Sequence, residues 1–248
     1  MSKLTTLHPL DLDLLTSYLR AVTGAARRPN ITPTAPAWSE QMMADARAGY
    51  DRARCGDERG ANAVSYGLGQ ILATVHPSFV LIDTTPSLWE SRIDRGLGML
   101  LRPPSRLFGD AGLAPAAARA MPIRLDHAAG QMGGCYVPAR LVPDLYDHLD
   151  SRAERLVRRL IEAELDGVAI LALFLEAVDY ARQRELGLYE AVDVFTRDAS
   201  ATDPPGATLI VPNRKRIEPA LRQRLEEAAK PPKKPGLAAR LFSRRRDA

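Results

Sequence analysis

Asp126, His127 and Cys135 come nearest in this sequence to a catalytic set, with Tyr136 and His148 close behind them. A thiol becomes a nucleophile when a base within hydrogen-bond reach takes its proton and a third group orients that base. His127 and Cys135 flank a loop of small residues that holds Gly130, Gly133 and Gly134. A hairpin across that loop would bring imidazole and sulfur together, with Asp126 as the orienting acceptor. The chemistry this describes is that of a cysteine-dependent hydrolase or transferase. Against it, no family-specific local sequence surrounds Cys135. Cysteine is also among the residue types most often buried as a small hydrophobe.

His127, Cys135, Asp144 and His148 are the residues from which a metal site would be drawn. Zinc sites show tighter ligand pairs, two or three residues apart, and none occurs here, so no metal is expected. The carboxylate pairs Asp11/Asp13 and Asp144/Asp147 fall on predicted helices, where a solvated face accounts for them. Gly67-Leu68-Gly69 lacks the third glycine of a dinucleotide fingerprint and follows no strand, so it reads as close helix packing. Phosphate loops, nucleophile elbows and zincin helices are missing too, and no cofactor is expected.

The formal net charge of +4 is unevenly distributed. Residues 230–248 hold seven basic side chains against the single acid Asp247, which leaves the preceding 229 residues at −2. The body therefore offers no electrostatic reason to expect specific nucleic-acid binding. In the tail, Leu237, Leu241 and Phe242 fall on one side of a short helical pattern, with Arg244, Arg245 and Arg246 beside them. Such a segment suits weak contact with an anionic membrane surface, each basic group adding about 1 kcal/mol near the lipid.

The elements that would position these groups are mostly helical. Leu10, Leu14, Tyr18, Leu19 and Val22 form one apolar stripe, and His8-Pro9 marks its start. Trp38, Met42, Ala46 and Tyr50 give a second helix, and the alanine- and glycine-rich residues 60–73 a third. Residues 78–83 read as a short strand. Thr84-Thr85-Pro86 then caps a helix carrying Leu88, Trp89, Ile93, Leu97 and Leu100. Pro122–Asp126 and Cys135–Pro138 read as a strand pair. Leu141, Leu145 and Leu149 mark the next helix, and Ser151 to Glu154 has the spacing of a capping box for the one after it. A more buried helix runs to about 186; strands over 188–195 and 208–211 and a charged helix over 219–230 complete the body.

Gly134, Tyr136, Pro138, Ala139, Arg140 and the Leu141/Leu145/Leu149 helix resemble a stretch found in the YfbM-like bacterial proteins. Leu81-Ile82-Asp83 through Trp89 to Leu101 is similar to that family's strand and tryptophan-bearing helix. The resemblance spans about residues 78–185, interrupted by the alanine-rich stretch Phe108–Ala120. It implies an α+β arrangement and a binding role of the toxin-immunity kind, and it supplies no catalytic residues.

These readings converge on a helix-dominated α+β single domain with a small antiparallel sheet, over residues 1–229, and a disordered basic C-terminal tail, 230–248. Within the domain, 1–75 is expected to be helical, 78–211 to be the central α+β part, and 216–229 a closing helix. With two cysteines, no signal-peptide pattern and no apolar run long enough to span a bilayer, a cytoplasmic bacterial protein is expected. The expected role is a protein-interaction module, immunity-like or adaptor, with a protein partner. The alternatives are the Cys135/His127 enzyme and a peripheral membrane adaptor held by the tail.

Overall fold

The structure is a computed structural model that describes residues 4–25, 36–103, 106–116, 134–195 and 204–230. Its centre is a five-stranded sheet in the order β3-β4-β1-β2-β5. Here β1 is Leu4–Leu10, β2 Ser78–Ile82, β3 Tyr136–Val137, β4 Gly187–Val192 and β5 Leu209–Ile210. β1 runs antiparallel to β2 and β4, β3 is antiparallel to β4, and β5 is parallel to β2. The sheet is antiparallel as expected except at the parallel β2–β5 pair, which makes it mixed, and it sits in a helix-dominated α+β domain. Residues 122–126 lie outside the described residues; the 136–137 strand pairs with β4 at Tyr136↔Tyr189 and Val137↔Leu188.

The central strand is the one the periodicity hides. Leu4–Leu10 is strand throughout, where His8-Pro9 suggested a helix start. Its alternation is invisible because both faces are buried, so apolar and polar residues do not separate into inside and outside. Pro9 is tolerated because it lies beyond the first residue of β2, which stands opposite His8, where the ladder needs no N–H. The first helix, α1 (Leu12–Val22), begins later, with the Asp11 carboxylate accepting from the Asp13 and Leu14 N–H groups.

On one face of the sheet pack α1, α2 (Pro36–Arg54) and α3 (Glu58–Val75), with Tyr136, Tyr189 and Ala191 beneath them. Gly67 belongs to this packing: a Cβ there would lie 2.8 Å from the Tyr18 hydroxyl. Gly69 likewise lets α3 press against Val194, as close helix packing requires.

The other face carries Leu7, Phe79, Leu81, Val137 and Leu188 against a second helical layer. After two short helices, α4 (Trp89–Arg92) and α5 (Arg106–Asp110), that layer is built from α6 (Val142–Ser151), α7 (Ala153–Glu162), α8 (Gly167–Gln183) and α9 (Pro219–Ala229). α8 is apolar nearly all round because it lies between the sheet and its neighbours.

Two local readings are corrected. The helix expected after Thr85-Pro86 breaks into 3-10 turns at 86–88 and 95–99 on either side of α4, and glycines at 96 and 98 stand in the second turn. The 151–154 capping box does not form: α7 starts at an Arg152 cap with no side-chain bond, and the Ser151 hydroxyl donates to the His148 carbonyl instead.

Candidate functional site

Cys135 precedes β3 on the α6–α9 side of the sheet, and its partner there is a carboxylate. The thiol donates to Glu190 Oε2 at 3.2 Å. Ser87 reaches the same group from the loop after β2, its N–H donating to Oε2 at 2.8 Å and its hydroxyl to Oε1 at 2.9 Å. Glu190 is 0% exposed, so three neutral donors serve a carboxyl cut off from water. Burial raises its acid above the ordinary value, and the bonds from Cys135 and Ser87 recover only part of that rise. Burial likewise pushes the Cys135 thiol well up, and the neighbouring Glu190 charge pushes it further. A thiol so placed donates its hydrogen bond to the carboxyl, and burial disfavours the thiolate that a nucleophile needs. Gly134 makes the approach possible, since a Cβ there would sit 2.4 Å from Glu190 Cβ.

The remaining sequence candidates do not join this cluster in any way the structure describes. Asp126 and His127 lie outside the described residues, as do Leu237, Leu241, Phe242, Arg244, Arg245 and Arg246. Tyr136 follows Cys135 in the chain and so turns to the opposite face, into the core against α1–α3. His148 is on α6 and faces Asp94, its Nε2 3.3 Å from Asp94 Oδ2. Arg152 reaches the same carboxylate at 3.3 Å, and the Gly96 N–H caps its other oxygen at 3.0 Å. Burial alone would raise the Asp94 acid; the Gly96 N–H, Arg152 and His148 outweigh it and hold the carboxyl below its ordinary value. Asp144 is exposed in the first turn of α6. Among the described residues no group of three or more histidines, cysteines and acids is placed to hold a metal, and no helix is long and apolar enough to cross a membrane.

Two of the concavities on this side have mainly apolar linings. A cleft of about 330 Å³ lies beside the Glu190 cluster, bounded by Thr5, residues 83–85, Leu88, Trp89, Arg92, Ile93, Ala163 and Leu165. Trp89 is fixed there by its indole N–H, which donates to Thr84 Oγ1 at 2.8 Å, and by an edge-on contact with Phe174 at 5.2 Å. The second is a groove of about 240 Å³ between α8 and residues 211–221. Its lining includes Tyr146, Ala172, Leu173, Val211, Ile217 and Leu221, with Glu176, Asp179 and Glu218 against one cation, Arg216.

Glu190, Ser87 and Thr5 escaped the sequence reading, and Thr85 entered it only as a helix cap, a bond its side chain does not make. One signal was present: Glu190 falls between Leu188 and Val192 on the same phase of a strand, an acid where the alternation calls for an apolar residue. No model of a known protein family matches the chain, and no curated protein or solved structure matches it either.

Proposed function

We propose that the protein is a protein-interaction module that docks a partner segment in the groove between α8 and residues 211–221. The observation that carries this reading is the groove's composition. Its lining is largely aliphatic, Val211 in it is 48% exposed, and three of the four charged residues lining it are acids, of which Glu176 pairs with Arg216 and Asp179 with Arg182. Such a surface fits a segment that presents aliphatic side chains flanked by lysine or arginine, the aliphatic groups giving affinity and the charges giving register. The resemblance of residues 78–185 to YfbM-like proteins, with the binding role of the toxin-immunity kind it implies, points the same way. The burial of Cys135 against Glu190 weighs against the cysteine-dependent hydrolase or transferase.

Site-specific photo-cross-linking in the native host tests this. With benzoylphenylalanine in place of Val211, a discrete adduct is expected. With the same group in place of Asp51, on α2 and the opposite layer, none is expected. Equal adducts from both positions, or none from Val211, would remove the proposal.

A second reading rests on the charge asymmetry of the sequence: residues 230–248 carry seven basic side chains and three large apolar ones. On that reading the tail contacts anionic membrane at the cytoplasmic face. Sedimentation with phosphatidylserine vesicles tests it, and deletion of residues 231–248 is expected to abolish the binding.

A further inference from the structure

We infer that the cleft beside the Glu190 cluster is a binding site for a small aliphatic molecule with an uncharged polar head, an amide or an alcohol. It is separate from the groove of the proposed docking site. Two buried hydroxyls, on threonines that line it, carry the argument. Thr5 is 1% exposed, and neither its Oγ1 nor that of Thr85 has a hydrogen-bond partner, although both atoms are shut off from solvent. Buried hydroxyls nearly always find partners, and leaving one unpaired costs free energy. Here two come together on one cavity, Thr5 from β1 and Thr85 from the loop after β2.

The rest of the lining sets the ligand class. Leu88, Trp89, Ile93 and Leu165 make the walls apolar, which asks for a hydrocarbon body. The rim holds one acid, Asp83, and one base, Arg92, so the site has no net charge to favour an ion. Each threonine hydroxyl both donates and accepts, which matches an amide or alcohol head. To meet a ligand, each hydroxyl would have to turn onto the cleft wall by a χ1 step, a move between ordinary staggered wells. Asp83, a lining residue just after β2, takes a left-handed φ of 57°, a conformation unusual for a residue other than glycine. The volume of about 330 Å³ accommodates a molecule of this kind.

The test uses the full chain and three probes of one shape: isobutyramide, isobutyrate and isobutylamine. Backbone amide shifts follow the binding. Isobutyramide is expected to give saturable shifts at Thr5, Thr84, Thr85 and Leu165 in roughly the millimolar range suited to so few atoms. The two ions are expected to bind about tenfold more weakly, since each adds a charge to be desolvated. Thr5→Val, which keeps the shape and removes the hydroxyl, is expected to raise the thermal midpoint while weakening isobutyramide about tenfold. Thr85→Val is expected to weaken it in the same direction. The inference is overturned if isobutyramide gives no saturable shift or shifts only residues elsewhere. It is equally overturned if Thr5→Val binds like the parent, or if that variant is less stable, because its hydroxyl would then already be satisfied.

Discussion

Toward α1–α3, strand β1 buries His8 between two hydroxyls; toward α6–α8, its neighbour β4 buries Glu190 between a thiol, a hydroxyl and an amide. The two clusters lie on opposite faces of one strand pair, one residue apart in register, since His8 stands opposite Tyr189 and Leu7 opposite Glu190. On the His8 side the bonds close. Its Nε2 meets Thr6 Oγ1 at 2.7 Å, its Nδ1 meets Ser78 Oγ at 3.0 Å, and the Thr6 hydroxyl passes on to the Ala191 carbonyl. Burial lowers the His8 pKa from 6.5 to about 3, so the imidazole stays neutral and serves as a structural crosspiece. On the Glu190 side the group is an acid raised by burial, its donors come from a loop, and the adjoining cleft leaves two hydroxyls unpaired. The His8 cluster is closed, each of its polar atoms paired; the Glu190 side has two unpaired threonine hydroxyls beside a cavity. Functional sites are found where polar capacity is left unmet.

The largest expected effect breaks the closed side. His8→Ala leaves a hole and strands two hydroxyls, and is expected to cost roughly 3–5 kcal/mol in urea unfolding. A loss below about 1 kcal/mol would mean that the imidazole bonds are worth little. Gly134→Ala comes next: its new Cβ would meet the Glu190 stem at 2.4 Å, and the resulting overpacking is expected to cost about 1–3 kcal/mol.

Titration separates the two sides by sign. With its folded pKa below 6.5, His8 takes its proton first in the unfolded chain, so stability falls as pH drops from 6.5 toward about 3. With its folded pKa above 4.5, Glu190 contributes stability that is full below 4.5 and is lost as pH rises through the folded value. Glu190→Gln removes that loss, and is expected to raise stability by roughly 1–2 kcal/mol at about pH 8 and to do little at about pH 4. A destabilisation at both pH values would contradict the sign. The smallest expected effect is that of Cys135→Ser, which keeps a donor to Glu190 and is expected to stay within about 1 kcal/mol of the parent.

Much of the helical layer was legible. The stripe from Leu14 to Val22 is α1, the Leu156/Leu160 face is buried in α7, and the apolar run from Val168 sits inside α8. These helices bury an identifiable stripe or are buried outright, and their periodicity or length shows it. β1 was not legible, because burial on both faces erases the alternation and Pro9 imitates a helix start. The candidate site was half legible. Cys135 stood out by residue type, but its partner lies 55 residues away, on a strand that meets it only through tertiary pairing. Thr5 and Thr85 share a cleft from opposite ends of a stretch that contains all of α1–α3, and no local spacing could have joined them.

Iodoacetamide labelling of the native protein at about pH 8, followed by peptide mass mapping, tests most directly whether Cys135 is a structural donor to Glu190. Exposed Cys55 is expected to alkylate promptly, and Cys135 only as fast as the whole protein unfolds, with both reacting alike in denaturant. Native-state alkylation of Cys135 at or above the Cys55 rate would contradict this, and would return the thiol to the role of nucleophile.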